Sequence, residues 1–500
     1  LDVLQNVLFG FHVALQPGNL LLAFIGCVIG TLIGVLPGIG APAAIALLLP
    51  SSFHMSSVGA IIMLAGIYYG AMYGGSTTSI LVNIPGEVAS VVTCIDGYQM
   101  ARQGRAGPAL AVCAIGSFIA GTLSVAGLML ISPLLAKFAL SFGAPEYTSL
   151  MITGFVVLTF LASSSMPKAL IMAAFGIFIS TVGLDNISGD VRFAGSMVEL
   201  WDGVGLVPIV MGMFGISEVL LNLEEMGHKS VEILRDKIKH IFPTKEDWKK
   251  FVPSSLRGTI LGFFLGVIPG GGAALASFTS YAIEKKISKN PEKFGTGMIE
   301  GVASPESANN AATGGAFVPL LTLGIPSNIV TALLLGAFMI HGISPGPLML
   351  RDHSDLFWGL IASMYMGNVM LLVLNLPLVG IWVQLLRTPY RILFPLILLF
   401  CLIGVYSINS SVIEIYIMII FGIIGYLTRK TEYDAAPLVL AVVLGPIFEN
   451  ALRQSLMMSS GDISIFFSRP ISCGFMLTAI FLLFIPLFLK RKLPKTKDEI

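Results

Sequence analysis

The chain is 500 residues long, 55% hydrophobic and only 11% charged, against about 25% charged in an average soluble domain, which excludes a water-soluble globular protein. Its 29 basic and 28 acidic residues leave a net charge of +1, which excludes a nucleic-acid binder and any long acidic or basic tail. Bilayer-spanning segments therefore set its units.

No basic region precedes the first apolar stretch, Leu1 to Leu15, so no cleavable leader is expected, and a multi-spanning protein needs none. The run 20–50 is cut in its middle by Pro37-Gly38-Ile39-Gly40. Each piece is too short to cross alone, which predicts a helix, a break and a second helix. Apolar runs follow at 58–75, 109–131, 148–162, 168–184 and 204–223. The interval 224–256 is the one strongly hydrophilic segment, and its seven Lys and Arg place it in the cytoplasm. Within it Val231, Leu234, Ile238 and Ile241 recur at helical spacing, predicting a short amphipathic helix on the membrane surface.

A second interrupted run, 257–284, carries Pro269-Gly270-Gly271-Gly272 and repeats the hairpin pattern. Further apolar runs lie at 355–377, 393–408, 411–428, 435–448 and 472–489, and Lys490, Arg491, Lys492, Lys495 and Lys497 put the C-terminus in the cytoplasm. The expected fold class is an all-α polytopic membrane protein of roughly 12 membrane helices. Its expected divisions are a first half, 1–223, the cytoplasmic linker 224–256, a second half, 257–471, and a last helix with a basic tail, 472–500.

The two halves resemble each other. Gly30, Gly34, Val35, Pro37, Gly38, Gly40 and Ala41 align without a gap on Gly262, Gly266, Val267, Pro269, Gly270, Gly272 and Ala273, an offset of 232 residues. Downstream, Gly74-Gly75 aligns with Gly314-Gly315 at an offset of 240, rising by one at Pro85 and Pro326. Two broken segments in the same order in each half predict an internal repeat. Charge predicts that the repeat is inverted. The loop 51–57 has no Lys or Arg where its counterpart has Lys285, Lys286, Lys289 and Lys293, while Arg102 and Arg105 match the uncharged loop 340–347.

Several motifs suit the binding of an anion and a cation. At Pro37, Gly38 and Gly40, and at Gly270, Gly271 and Gly272, a new half-helix presents free N–H groups and the positive end of its dipole, a setting for a carboxylate. Ser76, Thr77 and Thr78 beside Gly74 and Gly75, followed by Asn83, offer hydroxyl, amide and loosened carbonyl oxygens to a carboxylate or a dehydrated Na⁺. Ser304-Pro305-Glu306 reads as a helix start. Asn309, Asn310 and Thr313 share a face with Glu306 leading into Gly314, and polar side chains on one face of a membrane segment line a pathway. Glu306 itself stays open between a first-turn cap and an ion ligand. Asp96-Gly97 with Arg102 and Arg105 reads as a turn at a cytoplasmic end.

The five cysteines are far apart, with no C-x-x-C, and the six histidines have no metal-ligand spacing, so neither a transition-metal site nor a tightly bound cofactor is expected. No G-x-x-x-x-G-K-[ST] is present, which argues against ATP as the power source, and no nucleophile–base pair suggests an intramembrane enzyme. A passive anion channel with the same broken helices is the alternative that this pattern leaves open.

The segments GVLPGIG (34–40), YGGSTTSILVNIPGE (73–87), DGYQMARQGRAG (96–107), GVIPGGG (266–272), EGVASPESANNAATGGAFVPLLTLGIPSN (300–328) and HGISPGPLM (341–349) resemble those of the large membrane subunit of the tripartite tricarboxylate transporters, over nearly the whole chain. The resemblance implies a secondary transporter of the bacterial inner membrane importing citrate or related di- and tricarboxylates. It implies a cation gradient, usually Na⁺ with H⁺ open, and two partners, a small four-helix membrane subunit and a periplasmic solute-binding protein. By motif position it puts the site on 37–40, 74–78 and Asn83 in one half, and on 270–272 and 309–315 in the other. The roles follow from the residues: Pro37, Gly38, Gly40, Ser76, Thr77, Thr78, Asn83, Gly270, Gly271, Gly272, Asn309 and Asn310 for substrate, and Gly74, Gly75, Glu306, Thr313 and Gly314 for the cation. One departure is Ala41, inserted before Pro42 where the family commonly has Pro straight after G-x-G, leaving one more N–H free at the first break.

Overall fold

An apolar chain in a bilayer must satisfy its backbone N–H and C=O groups internally, and helices do so within one segment. The computed structural model describes residues 2–36, 40–161, 165–185, 187–225, 241–385 and 390–489, and these are almost entirely helical. The first half contains α1 (Asp2–Ala14), α2 (Pro17–Val35), α3 (Gly40–Ser52), α4 (Ser57–Val82), α5 (Val91–Arg102), α6 (Ala106–Ala139), α7 (Ala144–Leu161), α8 (Met166–Ser180), α9 (Leu206–Val210) and α10 (Ser217–Glu225), the last two joined by a π-helical stretch, Met211–Ile216. The second half contains α11 (Lys245–Val267), α12 (Gly272–Ile287), α13 (Glu300–Leu323), α14 (Ile329–Ile340), α15 (Met349–Asp352), α16 (Ser354–Asn375), α17 (Val379–Leu385), α18 (Tyr390–Asn409), α19 (Val412–Lys430), α20 (Ala436–Met458), α21 (Ile465–Ser468) and α22 (Pro470–Leu489). Among the described residues seven helical spans are long and apolar enough to cross a membrane, and several other apolar helices are shorter. One small antiparallel hairpin, Gly183–Leu184 with Val191–Arg192, interrupts the all-helical pattern.

Both interrupted runs fold as helix, break and helix. After α11 the break spans Ile268 to Gly271, with Gly270 at φ +79°, and α12 starts on Gly272 at φ +56°; α3 starts on Gly40 at φ +67°. A side chain at these positive φ values would be strained, so glycine is required there. Pro37 and Gly38 lie outside the described residues, as do Val231, Leu234, Ile238 and the basic tail from Lys490. Helix α11 begins at Lys245, inside the interval read as linker, under a Thr244–Asp247 capping box. Asp247 also accepts from Arg105 at 2.6 Å. Burial opposes the charge of Asp247, but the Thr244 N–H and the Arg105 guanidinium outweigh it and hold the carboxyl below its usual range.

Glycine at every fourth position sets the packing of each half. A Cβ added at Gly26, Gly30 or Gly34 of α2 would fall 2.3, 2.4 or 2.3 Å from the carbonyl oxygens of Met63, Ile67 and Ala71 of α4. At Gly258, Gly262 and Gly266 of α11 the distances to Ser304, Ala308 and Ala312 of α13 are 2.2, 2.1 and 2.2 Å. Backbone is therefore packed on backbone, the arrangement that van der Waals contact favours between membrane helices. The same contacts correct the alignment of the second motif. Gly74 faces the carbonyl oxygen of Thr31, and the residue that faces its counterpart, Phe263, is Gly315 rather than Gly314. With Gly74 matched to Gly315 the offset is 241 throughout, and no gap is needed before Pro85 and Pro326. Asn83 and Gly324, at this offset, both end their helices in the left-handed conformation.

The centre of the bundle is α4 and α13, buried from Gly59 to Val82 and from Gly301 to Thr322. Outer helices turn large apolar side chains outward, among them Phe400, Ile403, Tyr416, Ile420 and Phe481, as a lipid-facing surface requires. Two local expectations change. Helix α13 starts at Glu300, so Ser304 and Pro305 lie within it rather than at its start. Its first N–H groups are satisfied without a Ser cap: Gly301 and Val302 donate to the carbonyls of Met298 and Ile299, both at 3.1 Å, while Pro305, the sixth residue of the helix, has no N–H to give the Gly301 carbonyl and so removes one intrahelical bond. Asp96 lies inside α5 rather than in a turn. Its Oδ1 accepts the N–H groups of Gly295 (2.9 Å), Gly297 (2.8 Å) and Met298 (2.8 Å), and its Oδ2 accepts from the Tyr281 hydroxyl (2.9 Å), which clamps the loop before α13.

Replacing Gly262 with Leu must push α11 off α13. We expect a loss of about 1–3 kcal/mol or more, read as a lower unfolding midpoint or as loss of the monodisperse species in detergent. Gly154→Ala, inside α7 with nothing within 4 Å of the added Cβ, should not lower the midpoint and should raise it slightly.

Candidate functional site

Because α4 and α13 lie side by side at the centre, polar residues from the two halves meet there. Glu306 is fully buried. Its Oε2 accepts from the Ser76 hydroxyl at 2.5 Å and from Asn309 Nδ2 at 3.3 Å, and its Oε1 accepts from the Thr93 hydroxyl. Asn310 Nδ2 donates to Ser117 Oγ (2.7 Å), to Asn309 Oδ1 (2.6 Å) and to the Glu306 carbonyl (3.0 Å). The Thr313 hydroxyl donates to the Asn309 carbonyl at 3.0 Å. Among the described ion pairs none involves Glu306. Glu306 is thus not a first-turn cap: it is an acid held by hydroxyl and amide donors in an apolar bundle, and burying such a charge is costly without a counter-charge or a proton.

Two cavities of about 10 Å³ each flank this cluster, each room for roughly one water or one small cation. The first is lined by Tyr69, Ser124, Asn310, Thr313, Gly314 and Asn368, and the Tyr69 hydroxyl has no hydrogen-bond partner. The second is lined by Tyr73, Ser76, Thr77, Ser117 and Asn375, and Asn375 Oδ1 has none. The Asn310–Ser117 hydrogen bond joins a wall of one cavity to a wall of the other.

The two breaks differ in what meets the new helix. At the start of α3 the Ala41 N–H donates to Glu87 Oε1, so the extra N–H that Ala41 brings is taken by the protein's own carboxylate. At the 241-residue offset the counterpart of Glu87 is Asn328, a neutral amide. Asn328 Oδ1 accepts from the Thr331 N–H at 3.0 Å, capping α14, and its Nδ2 donates to the Tyr68 hydroxyl at 3.0 Å. Among the described residues no side chain caps the N-terminus of α12. The Gly270 N–H donates to the Ser327 carbonyl at 2.7 Å, and that of Gly271 to Ile268 at 2.9 Å.

The structure therefore gathers Ser76, Thr77, Glu306, Asn309, Asn310, Thr313 and Gly314 at the centre, while Gly40, Gly270, Gly271 and Gly272 stand at the breaks. Gly74 is a packing residue against Thr31. The carbonyl of Gly75 is not loosened: it accepts from the hydroxyls of Thr78 and Ser79, each at 3.0 Å, so Thr78 satisfies itself on its own helix. Asn83 is exposed and ends α4. Sequence reasoning missed Glu87, Thr93, Ser117 and Asn368. Glu87 carried a signal as the acid closing the first Gly-rich motif, whereas the other three are single polar residues in apolar helices and carried none.

The chain matches the tripartite tricarboxylate transporter TctA family over residues 20–440. It is 50% identical over 474 residues to an uncharacterized 52.8 kDa protein in the TAR-I ttuC' 3' region of Agrobacterium vitis, covering 95% of this chain and 94% of that protein. It is 53% identical over 213 residues to an uncharacterized protein in the TAR-II ttuC' 3' region of the same organism, covering 43% and 88%. No solved structure matches it.

Replacing Glu87 with Ala should free the first turn of α3, at about 0.5–2 kcal/mol for the lost cap. We expect faster hydrogen exchange at the Ala41 amide, with exchange in the first turn of α12 unchanged.

Proposed function

The chain belongs to the tripartite tricarboxylate transporter TctA family, a family of transporters and not of enzymes, and on that premise we propose that it imports citrate or a related di- or tricarboxylate by coupling to a cation gradient, with Na⁺ as the coupling ion. Family membership makes it a multi-pass membrane component that works with partner subunits. In our reading these are a small four-helix membrane subunit and a periplasmic binding protein that delivers the substrate, and the assembly lies in a bacterial inner membrane with the linker and C-terminus inside.

The roughly 12 membrane helices form two inverted repeats, 1–223 and 257–471, joined by the linker 224–256 and followed by a last helix and tail, 472–500. The shared glycine contacts of α2 with α4 and of α11 with α13 support the repeat, and the opposite charge of equivalent loops supports its inversion. Substrate carboxylates are held by the N–H groups at the breaks, by the amides of Asn309 and Asn310, and by the hydroxyls of Ser76 and Thr77. The cation sits beside Glu306, Thr313 and Gly314. Movement of one part of each half exposes the site alternately.

The observation that carries this reading is the Ser76–Glu306 hydrogen bond. It joins a motif of one half to a motif of the other around a buried acid with no basic partner among the described residues, which is what a site for a cation and an exchangeable anion needs in a membrane. A proton on Glu306 would serve in place of Na⁺, and the experiment separates the two. The full chain, reconstituted in liposomes with its partner subunits, is given labelled citrate under a Na⁺ gradient or a pH gradient. We expect accumulation above the outside concentration with Na⁺, and in Asn309→Ala a loss of roughly tenfold or more in uptake, from a hydrogen bond to a charged group worth about 1.5–3 kcal/mol. Equilibration without accumulation would make the protein a channel. Unchanged uptake in both Asn309→Ala and Ser76→Ala would remove the site.

A further inference from the structure

Away from the central cluster, a second buried acid has an oxygen that bonds to nothing. Glu414, in the first turn of α19, is 9% exposed. Its Oε1 accepts from Asn409 Nδ2 at 2.5 Å, while its Oε2 is buried without a hydrogen-bond partner. Glu414 lines a cavity of about 290 Å³ whose walls include Leu206, Pro208, Met339 and Val443. That is about twice the roughly 150 Å³ that holds a benzene in an engineered apolar cavity. Glu414 and Asn409 are the polar side chains of the described lining, and no Lys, Arg or His belongs to it.

These facts restrict the ligand. A buried carboxylate oxygen calls for a donor or a positive charge, so an anionic solute is repelled. A bare Ca²⁺ or Mg²⁺ needs six or so oxygens, and two polar side chains do not supply them. The cavity also shares Val204, Val442 and Pro446 with a neighbouring cavity lined by Asp185, Asp202 and Glu449, where Arg192 and Arg453 already pair with Glu449 and Asp185, so no basic group there is directed at Glu414 among the described ion pairs. We propose that the Glu414 cavity binds a primary ammonium group on a short aliphatic stem. The ammonium donates to Glu414 Oε2, and the stem lies on Leu206, Met339 and Val443. This site is separate from the Glu306 cluster and does not depend on the identity of the transported substrate.

The test uses the purified full chain in detergent at neutral pH, with n-hexylamine as the probe and n-hexanol as its uncharged counterpart. A ligand that binds only the folded protein raises the unfolding midpoint. We expect hexylamine to raise it by about 2 °C or more near saturation, and hexanol not to. The shift should vanish in Glu414→Gln, which keeps the shape, and in Val443→Phe, which fills the cavity and keeps the acid. Nanodiscs of phosphatidylethanolamine or phosphatidylcholine with the same acyl chains then distinguish the sources. A higher midpoint with the ethanolamine lipid, lost in Glu414→Gln, assigns the ammonium to a lipid headgroup, and an amine shift without that preference assigns a soluble amine. Equal shifts with hexylamine and hexanol, or a hexylamine shift retained in Glu414→Gln, would overturn the proposal.

Discussion

The contact of glycine against backbone carbonyl, repeated at four-residue steps along α2 and α11, is what allows the centre of this protein to be polar. A membrane helix gains little from hiding apolar side chains, since lipid is equally apolar, so close packing must hold the bundle together. Gly26, Gly30 and Gly34 bring α2 onto α4, and Gly258, Gly262 and Gly266 bring α11 onto α13. Those contacts, together with α6, α12 and α16 packed on the other faces, bury α4 and α13, and only then can Ser76, Glu306, Asn309 and Asn310 be carried at depth with their partners supplied by protein. The packing residues and the polar residues thus belong to one design: the first remove the solvent that the second would otherwise demand.

The two halves share that packing without sharing their chemistry. At the common 241-residue offset Asn309 and Asn310 stand where α4 has Tyr68 and Tyr69, and Glu306 stands where α4 has Ala65. The asymmetry continues at the breaks, where the N-terminus of α3 is met by the carboxylate of Glu87, while Asn328, the counterpart of Glu87, turns its amide to Thr331 and Tyr68. The two helix pairs therefore share the glycine contacts that set their packing and differ in the polar side chains they carry. In the reading proposed above, N–H groups at the breaks meet substrate carboxylates, and at the first break Glu87 already takes that of Ala41.

Much of this was legible in the sequence, for identifiable reasons. Breaks of the type Pro-Gly-x-Gly are visible because proline and glycine change backbone conformation wherever they stand, and the helix–break–helix hairpins are where 20–50 and 257–284 placed them. The face Glu306, Asn309, Asn310 and Thr313 was legible because helical spacing alone puts those residues together. Their partners Thr93 and Ser117, and Asn368 on the cavity wall beside them, were not, since a lone polar residue in an apolar helix has no pattern and only tertiary packing brings it to the cluster. The role of the glycines was misjudged at Gly74 and Gly75, where a loosened backbone was expected and close helix packing is found. The same contacts moved the repeat by one residue, because composition matches Gly-Gly to Gly-Gly while geometry matches the glycine that faces a carbonyl.

The central claim is that one buried cluster, contributed by both halves, holds a cation and a carboxylate together. Its most direct test is the unfolding midpoint of the purified protein in choline, K⁺ and Na⁺ salts at matched ionic strength, each with and without citrate and related carboxylates, for the wild type and Glu306→Gln. The account predicts a midpoint raised by Na⁺ over K⁺ and choline, raised further by one carboxylate, with the Na⁺ step absent in Glu306→Gln. Midpoints that are the same in all three salts, or a Na⁺ step that Glu306→Gln retains, would contradict it.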